Sequence, residues 1–541
     1  MALLVAATAT NAAAPRFYSD DPLTREPETQ DASSVAEWEI DLFIDLALNL
    51  FAHPGGPVGD VRAGEVNTID EVPDSNWFTN RILTRPISAD EAAKGPVSGD
   101  GPAPGRWTVT APKGAGAAPG FTMRDAKGDL WFVTFDSDGN PEAATSAIMV
   151  ANKIFWTLGY WQVENHVIKV HPVQLDIAET ARFRQLSGKR RPLKRGDIDD
   201  VFKVSHRSAD GSYRAVAGRA VAGKIIGGFR YYGTRPDDPN DIVPHQHRRS
   251  LRALKVFGAW TNLVDMKAGN TLDTVSTEND RAVVRHYLQD VGSTFGTGAL
   301  GPREYDEGWE HLVEPGPAAK RMLLFGFPIR PWQTAKYTNN KAIGRFEGSA
   351  FDPAEWKPRV PAAALAHARG DDTFWAARRV AAFTDDMIRA VVKAGQYSDP
   401  AAEKLLGDVL IERRNKITAH YFKAVNPLLD FSLTADGRLR YRNAAVDAGV
   451  ASAPTGGYRV TWLNFDNATG AATPLGTPVT ASGLEAQAPA PLPTAGDGMV
   501  RVEVAAIGGA DASWLVPVSA YFRRNNAGWQ LVGFDRLPLG Q

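Results

Sequence analysis

Four polar residues whose types suit metal and proton chemistry lie between residues 260 and 296. Asp265 stands two residues before Lys267 and five before Asn270, and Asp290 closes an apolar stretch twenty residues further on. Carboxylate and amide oxygens are the hard ligands that Mg²⁺ prefers. A further carboxylate can orient a hydroxyl group or accept its proton. These residue types suit phosphoryl transfer, which depends mainly on positioning and on neutralising phosphate charge.

Each of the four residues has a predicted role. Asp265 and Lys267 are the catalytic candidates, with Asp265 at the acceptor hydroxyl and Lys267 near the transferred phosphoryl group, while Asn270 and Asp290 are the candidate metal ligands. The residues between Asn270 and Asp290 predict a β-hairpin with its tip at 278–280, which would bring these two ligands together. The alternative is that these residues are caps and turn residues of an unrelated α+β fold.

The segment before this group predicts the elements of a small β-rich lobe. Arg106–Pro112 is a predicted strand, followed by a Gly-rich turn, two more strands and a helix from Pro141 to Gly159. Gly114, Gly116 and Gly120 in the turn are candidate cofactor-binding residues, because backbone N–H groups in such a turn can cradle phosphates. An ordinary hairpin loop is the alternative.

The sequence D-M-K-A-G-N from Asp265 to Asn270, with D-V-G from Asp290 to Gly292, resembles the catalytic and metal-binding loops of the protein-kinase-like superfamily. It is nearer to the divergent bacterial branches, the HipA-type and spore-coat CotH-type kinases, than to eukaryotic protein kinases. The resemblance covers roughly residues 106–426. It implies a bilobal kinase-like core that binds ATP with Mg²⁺ and transfers phosphate to a protein or glycan acceptor.

The predicted lobe departs from a kinase at the phosphate-binding pair. Thr134 occupies the position on the third strand where a kinase has its Lys, and Ala147, Ile148 and Met149 on the helix offer no acid to pair with it. Lys113, which enters the Gly-rich turn, is the candidate replacement, because with-no-lysine kinases supply a Lys from the Gly-rich strand. A surface lysine before a flexible turn is the alternative.

The missing pair leaves two hypotheses about function. Glu142, in the first turn of the helix, is explained by the helix dipole alone, and Lys153 late on the helix is the other nearby base. The chain is therefore either an active ATP/Mg²⁺-dependent phosphotransferase or a pseudokinase. The latter would serve as a binding or structural subunit of an extracytoplasmic or surface assembly.

Length and composition exclude several classes of protein. The chain has 541 residues, a formal net charge of −2 and no Cys. The charge gives no electrostatic case for a nucleic-acid partner, and without Cys there are no disulfides or thiolate metal sites. No apolar stretch reaches the eighteen residues of a membrane span. The Ala-rich start is compatible with the end of an export signal, which predicts a periplasmic or secreted protein, or with a disordered terminus of a cytoplasmic one.

We predict an α+β fold with two further regions around the kinase-like core. The predicted domains are an N-terminal arm, helix and linker, a small β-rich lobe, a mostly helical large lobe and a sandwich-like β domain, over residues 1–105, 106–240, 241–430 and 431–541.

The two outer regions carry their own predictions. A capping box at Ser34–Glu37 predicts the start of a largely buried helix, and the Gly-, Pro- and Ala-rich segment Ala92–Gly105 predicts a linker. The C-terminal β domain is the candidate surface for a protein or glycan partner. Its tryptophans Trp462, Trp514 and Trp529 would either stack on sugars or be buried in the sandwich.

Overall fold

A computed structural model describes residues 14–538 except 115, 186–188, 315, 317–318, 320–321, 325–329, 495 and 509–510. The fold is mixed, with helices and several β-sheets. Two compact units divide the chain. The larger consists of Glu26–Glu65 and Asp74–His420, and the smaller of the described parts of Met1–Arg25, Val66–Pro73 and Tyr421–Gln541. The bilobal arrangement and the boundaries at 105, 240 and 430 stay predictions.

The strands of the larger unit belong mainly to its amino-terminal half. They are β1 Trp107–Pro112, β2 Gly120–Arg124, β3 Leu130–Phe135, β4 Asn165–Val170, β5 Leu175–Ile177, β6 Arg182–Arg184, β7 Arg190–Pro192, β8 Tyr213–Arg219, β9 Lys224–Ile225, β10 Leu272–Glu278 and β11 Arg281–Tyr287.

A six-stranded sheet in the order β4-β8-β3-β2-β1-β5 organises the first of these strands. Alternate side chains of β1, β2 and β3, such as Val109, Met123 and Val133, are buried on one face, as the period-two pattern predicts. The antiparallel register places Gly120 of β2 opposite Thr134 of β3. The predicted order of strand, Gly-rich turn, strand, strand and helix is therefore present from β1 onward.

The helices of the larger unit lie before, within and after these strands. They are α1 Leu42–Ala47, α2 Ala89–Lys94, α3 Ala143–Leu158, α4 Arg195–Lys203, α5 Arg249–Arg252, α6 Leu254–Thr261, α7 Pro331–Thr334, α8 Ala363–Ala366, α9 Gly370–Ala381, α10 Asp385–Lys393 and α11 Pro400–Tyr421, whose last residue enters the smaller unit.

The helix α3 is the one predicted over 141–159. It ends at Gly159, which has a φ of 132°. A Cβ there would lie 2.2 Å from the ring of Phe78. Glycine is therefore needed at this position both for the backbone conformation and for the close approach of the ring.

Two predictions for the N-terminal region are wrong. The helix predicted from Ser34 begins only at Leu42, because the preceding backbone bonds to a distant segment, with the N–H of Trp38 donating to the carbonyl of Ile226 at 2.9 Å. The helix is not largely buried either, since Phe43 is 86% exposed. The predicted linker is helical only at residues 92–94, the end of α2, whose first turn is capped by the side chain of Ser88; the rest of it contains no helix or strand.

Buried ion pairs fix the helices that lead to Asp265. The guanidinium of Arg249 donates to Asp372 at 2.9 Å and to Asp371 at 3.0 Å, and that of Arg252 donates to Asp372 at 2.9 Å. All four side chains are buried. Removing one partner of such a buried network leaves an uncompensated charge and costs about 3–5 kcal/mol. The network therefore anchors α5, which leads into α6, against α9.

The smaller unit is built almost entirely of antiparallel strands. Its strands are β12 Leu428–Leu433, β13 Arg438–Asn443, β14 Tyr458–Phe465, β15 Ala472–Pro474, β16 Val479–Ala481, β17 Glu485–Gln487, β18 Met499–Ala506, β19 Val518–Asn525 and β20 Gly528–Asp535, and its helix is α12 Ala444–Asp447. They form one sheet in the order β12-β13-β17 and another in the order β15-β14-β18-β19-β20, with β16 paired to β14.

The β character of this unit agrees with the sequence pattern, and the sandwich arrangement stays a prediction. Trp462 and Trp514 are each only 1% exposed, so neither ring is available to stack on a sugar in this conformation. Trp529 is half-buried. Burial is therefore the correct alternative for two of the three tryptophans.

Across the described parts of the chain, no helix has both the length and the apolar character that crossing a membrane requires.

Candidate functional site

The loop from Asp265 to Asn270 is closed by a side-chain hydrogen bond. Helix α6 is followed by Asn262 in the left-handed region, with a φ of 54°, and three residues later the chain reaches Asp265. Residues Ala268–Asn270 form a single 3₁₀ turn. The side-chain amide of Asn270 donates to the carbonyl oxygen of Asp265 at 2.6 Å. The five-residue spacing of these two residues therefore makes a compact loop.

The hairpin predicted after Asn270 is present and returns the chain to it. Strands β10 and β11 pair from Leu272 opposite Tyr287 to Glu278 opposite Arg281. The two tip residues, Asn279 and Asp280, have φ values of 48° and 61°, as tight two-residue hairpins require. At the open end, the N–H of Asp290 donates to the carbonyl of Asn270 at 3.0 Å. The two candidate metal ligands are therefore neighbours in space.

The oxygen atoms of these two residues suit a hard divalent cation. One carboxylate oxygen of Asp290 accepts from the N–H of Gly292 at 3.0 Å. Among the described residues, no hydrogen bond reaches the other oxygen of Asp290 or the side-chain oxygen of Asn270. No group of three or more His, Cys, Asp or Glu side chains in the described part of the chain is arranged to hold a metal ion. Mg²⁺ is usually held by only one or two protein oxygens, with phosphate and water oxygens as its other ligands, so two such residues are enough for a candidate site.

The amine of Lys113 reaches Thr134, the position on β3 where the resemblance to kinases places a lysine. Its Nζ donates to Oγ1 of Thr134 at 3.3 Å. Burial lowers the pKa of the Lys113 amine, and the nearby carboxylate of Asp290 partly opposes this shift. The amine therefore lies within electrostatic range of the candidate metal ligand.

The three glycines of the turn differ in what surrounds them. A Cβ on Gly120 would lie 3.2 Å from Cδ of Lys113 and 2.2 Å from the carbonyl oxygen of Val133, and one on Gly116 would lie 3.9 Å from the Lys113 amine. A Cβ on Gly114 would meet nothing within 4 Å. Gly120 and Gly116 therefore border the path of the lysine, whereas Gly114 does not.

No acid on the described residues of α3 pairs with Lys113. The carboxylate of Glu142 accepts from the N–H of Ser398 at 2.9 Å instead. Ile148 lies against the D-V-G turn, because a Cβ on Gly292 would be 2.8 Å from its Cγ1. Lys153 is buried and its amine has no hydrogen-bond partner among the described residues; burial lowers its pKa to about 8.

Two residues near Asp265 were not found from the sequence. The first is Arg303, which lies 3.8 Å from Oδ2 of Asp265. The same oxygen accepts from the predicted Lys267 at 2.9 Å, as the D-x-K spacing allows. The buried phenol of Tyr231 has its pKa raised by burial and by the charge of Asp265. Neither residue stands at a spacing that a motif would reveal, because both reach Asp265 through tertiary folding.

The chain has been compared with known proteins at three levels. No family model and no curated protein matches it. Among solved structures, the Golgi casein kinase with Mn/ADP bound is 8% identical, with a TM-score of 0.30 over 73% of this chain and 95% of that one. A second structure of the Golgi casein kinase is also 8% identical, with a TM-score of 0.28 over 59% of this chain and 73% of that one. Likeness at this level establishes nothing further for this chain.

Proposed function

We propose that this chain is a kinase-like phosphotransferase that binds ATP with Mg²⁺ and transfers the terminal phosphoryl group to a hydroxyl of a protein or glycan. The observation that carries the proposal is that four residues from three segments of the chain, Lys113, the Asp265–Asn270 loop and Asp290, are brought near one another. The amine of Lys113 reaches Thr134 within electrostatic range of Asp290. The N–H of Asp290 donates to the carbonyl of Asn270, and the side-chain amide of Asn270 donates to the carbonyl of Asp265. An amine, an amide and two carboxylates near one another in this chain order support the proposal.

The phosphates would be bound from two directions, by Lys113 on the sheet and by a metal ion on Asn270 and Asp290. The ammonium group of Lys113 would contact the phosphates from the sheet, with the backbone of Gly116 and Gly120 beside it. The oxygens of Asn270 and Asp290 would hold Mg²⁺, which when bound supplies positive charge to the phosphate oxygens. The side-chain oxygen of Asn270 and one carboxylate oxygen of Asp290 are hard oxygens that accept no hydrogen bond from the described residues, so they fit this ion.

Asp265 would act on the acceptor. Its carboxylate orients the acceptor hydroxyl and takes its proton as the acceptor oxygen bonds to the γ-phosphorus atom. The bond between that phosphorus and the bridging oxygen of ADP breaks, and ADP leaves with the electron pair. Lys267 neutralises the side of the carboxylate that faces away from the acceptor.

A catalytically degenerate pseudokinase is the second candidate, and one observation favours it. No described acid of α3 pairs with Lys113, and Ile148 fills the space over Gly292. Without such an acid the lysine is less firmly oriented toward the phosphates. In this case the chain would be a binding subunit of an extracytoplasmic assembly, with the smaller unit as the surface for a protein or glycan.

Turnover of ATP labelled in its γ-phosphate by the full chain tests the proposal. We expect Mg²⁺-dependent transfer to an added or intrinsic hydroxyl, or to water. Asp265→Asn should lower the rate by about 10²–10⁴-fold while leaving ATP binding intact, because it removes only the acceptor base. Asp280→Asn, at the exposed hairpin tip where Asn tolerates the same backbone, is the matched control.

The outcomes separate the two candidates. Binding of ATP without transfer by the wild-type chain would identify a pseudokinase. Absence of both binding and transfer would contradict the phosphotransferase and leave the polar residues with a purely structural role, which only a non-enzymatic binding function would fit.

A further inference from the structure

The two carboxylate oxygens of Asp265 lie in different surroundings. The difference lies in the site of the proposed function, and a role for it in catalysis rests on that function. Lys267 lies 2.9 Å and Arg303 3.8 Å from Oδ2. Among the described residues, no hydrogen bond reaches Oδ1. Two cations therefore share one oxygen and leave the other for a ligand.

Arg303 is held in place by its own backbone. Its N–H donates to the carbonyl of Gly296 at 2.7 Å, and its carbonyl accepts from the guanidinium of Arg345. The carbonyl of Gly296 also accepts from the N–H of Arg345 at 3.1 Å. A Cβ on Gly296 would lie 2.1 Å from the carbonyl oxygen of Arg345, so the two segments cross in direct backbone contact. The position of Arg303 is thus fixed by the fold.

The guanidinium of Arg303 connects the acceptor loop to the segment of Asp290. Its Nη2 donates to Oγ of Ser293, three residues after Asp290, and is the same nitrogen that faces Asp265. Its other terminal nitrogen, Nη1, lies 3.3 Å from Oε2 of Glu307. Glu307 therefore holds the second end of the guanidinium group. The side chain of Arg303 is only 17% exposed, so solvent screens these contacts only partly.

We propose that Arg303 is a positioning residue for phosphoryl transfer. With Lys267 it holds Oδ2 of Asp265 and so presents Oδ1 to the acceptor hydroxyl. Through Ser293 it sets the separation between this carboxylate and Asp290, and therefore between the acceptor and the phosphate. A displacement of about 1 Å between reacting groups can cost about 10²-fold in rate, so a fixed bridge between the two loops matters.

The test compares kcat with ATP affinity in variants of the full chain. Arg303→Met should lower kcat by about 10²-fold while the Kd for ATP with Mg²⁺ stays within about twofold of wild type. Arg303→Lys should recover only part of kcat, because an ammonium keeps the charge but cannot span both partners. Ser293→Ala, which removes only the bridge, should lower kcat by a smaller factor.

Arg359→Met is the matched control. Arg359 pairs with the same Glu307 and its N–H donates to the carbonyl of Val264, but among the described contacts its side chain forms no hydrogen bond or ion pair with Asp265 or Ser293. Its kcat should stay near wild type. A lowered ATP affinity in Arg303→Met, or equal kcat in Arg303→Met and Arg359→Met, would overturn this inference but leave the proposed function standing. A wild-type chain that binds no ATP or transfers no phosphate would instead contradict the proposed function and the inference with it.

Discussion

Lys113 stands at the end of β1, yet its amine reaches β3. The antiparallel register makes this possible, because Gly120 of β2 lies opposite Thr134 and has no side chain to obstruct the path. The sequence names Lys113 as a candidate and leaves a surface lysine before a flexible turn as the alternative. Local pattern does not decide between them, because the direction of the side chain depends on pairing across two further strands.

Substitution of Lys113 tests its role directly. Lys113→Met should weaken binding of ATP with Mg²⁺ by about tenfold or more, because a charge-assisted contact contributes roughly 1.5–3 kcal/mol. Lys127→Met, at an exposed turn of the same sheet, is the matched control and should bind as wild type. The double variant Lys113→Met/Thr134→Lys should regain part of the affinity, because Thr134 marks the place of the amine. Unchanged affinity in Lys113→Met, measured by calorimetric titration, would remove the lysine from the site.

Lys153 gives a prediction for stability against pH. Burial lowers its pKa from 10.5 to about 8. Below about pH 8 the amine is charged in both states, and the folded chain bears the full cost of burial. Between about pH 8 and 10.5 the unfolded chain holds a proton that the folded chain has lost, so the free energy of unfolding rises with pH.

Lys153→Met should therefore raise the free energy of unfolding at pH 7 by roughly 1–3 kcal/mol and abolish this part of its rise with pH. Urea unfolding at pH 7 and 9.5 measures both effects, with Lys127→Met as the exposed control. A less stable Lys153→Met variant at pH 7 would mean that the amine has a favourable partner.

At the scale of elements, the hairpin β10–β11 was predictable and the start of α1 was not. The hairpin is specified locally, by alternating apolar residues and by Asn279 and Asp280, which tolerate positive φ. The capping box at Ser34 is also a local signal, but the backbone there bonds to the segment around Ile226 instead. Long-range pairing overrides local propensity at such a place. Arg303 was missed for the same reason.

The glycines of the β1–β2 turn make a matched pair. Gly120→Ala should weaken ATP binding and destabilise the sheet, because its Cβ would lie 2.2 Å from the carbonyl oxygen of Val133 and close to Lys113. Gly114→Ala should change neither property, because nothing lies within 4 Å of its Cβ. Thermal unfolding and ATP titration of both variants check this. Equal behaviour of the two would show that the turn does not guide the lysine.

At the scale of the whole molecule, the smaller unit joins segments from both ends of the chain. Phe17 is buried, and the centroid of its ring lies 5.1 Å from that of Tyr521 and 6.0 Å from that of Phe465. Arg16 pairs with Asp535 at 2.6 Å. Composition predicts an arm near the N-terminus, but not its destination about 500 residues away, because such contacts leave no periodic signal. The chain's larger unit, by contrast, carries the candidate site on segments whose order was predictable.

The Mg²⁺ dependence of ATP affinity tests the central claim most directly. Calorimetric titration of the full wild-type chain with ATP should show binding that strengthens at least about tenfold when Mg²⁺ is added, because in the proposed site Asn270 and Asp290 would supply oxygen ligands to the ion. In Asp290→Asn this strengthening should disappear, whereas Asp280→Asn should retain it. Equal Mg²⁺ dependence in Asp290→Asn and wild type, or no ATP binding by the wild-type chain, would contradict the account.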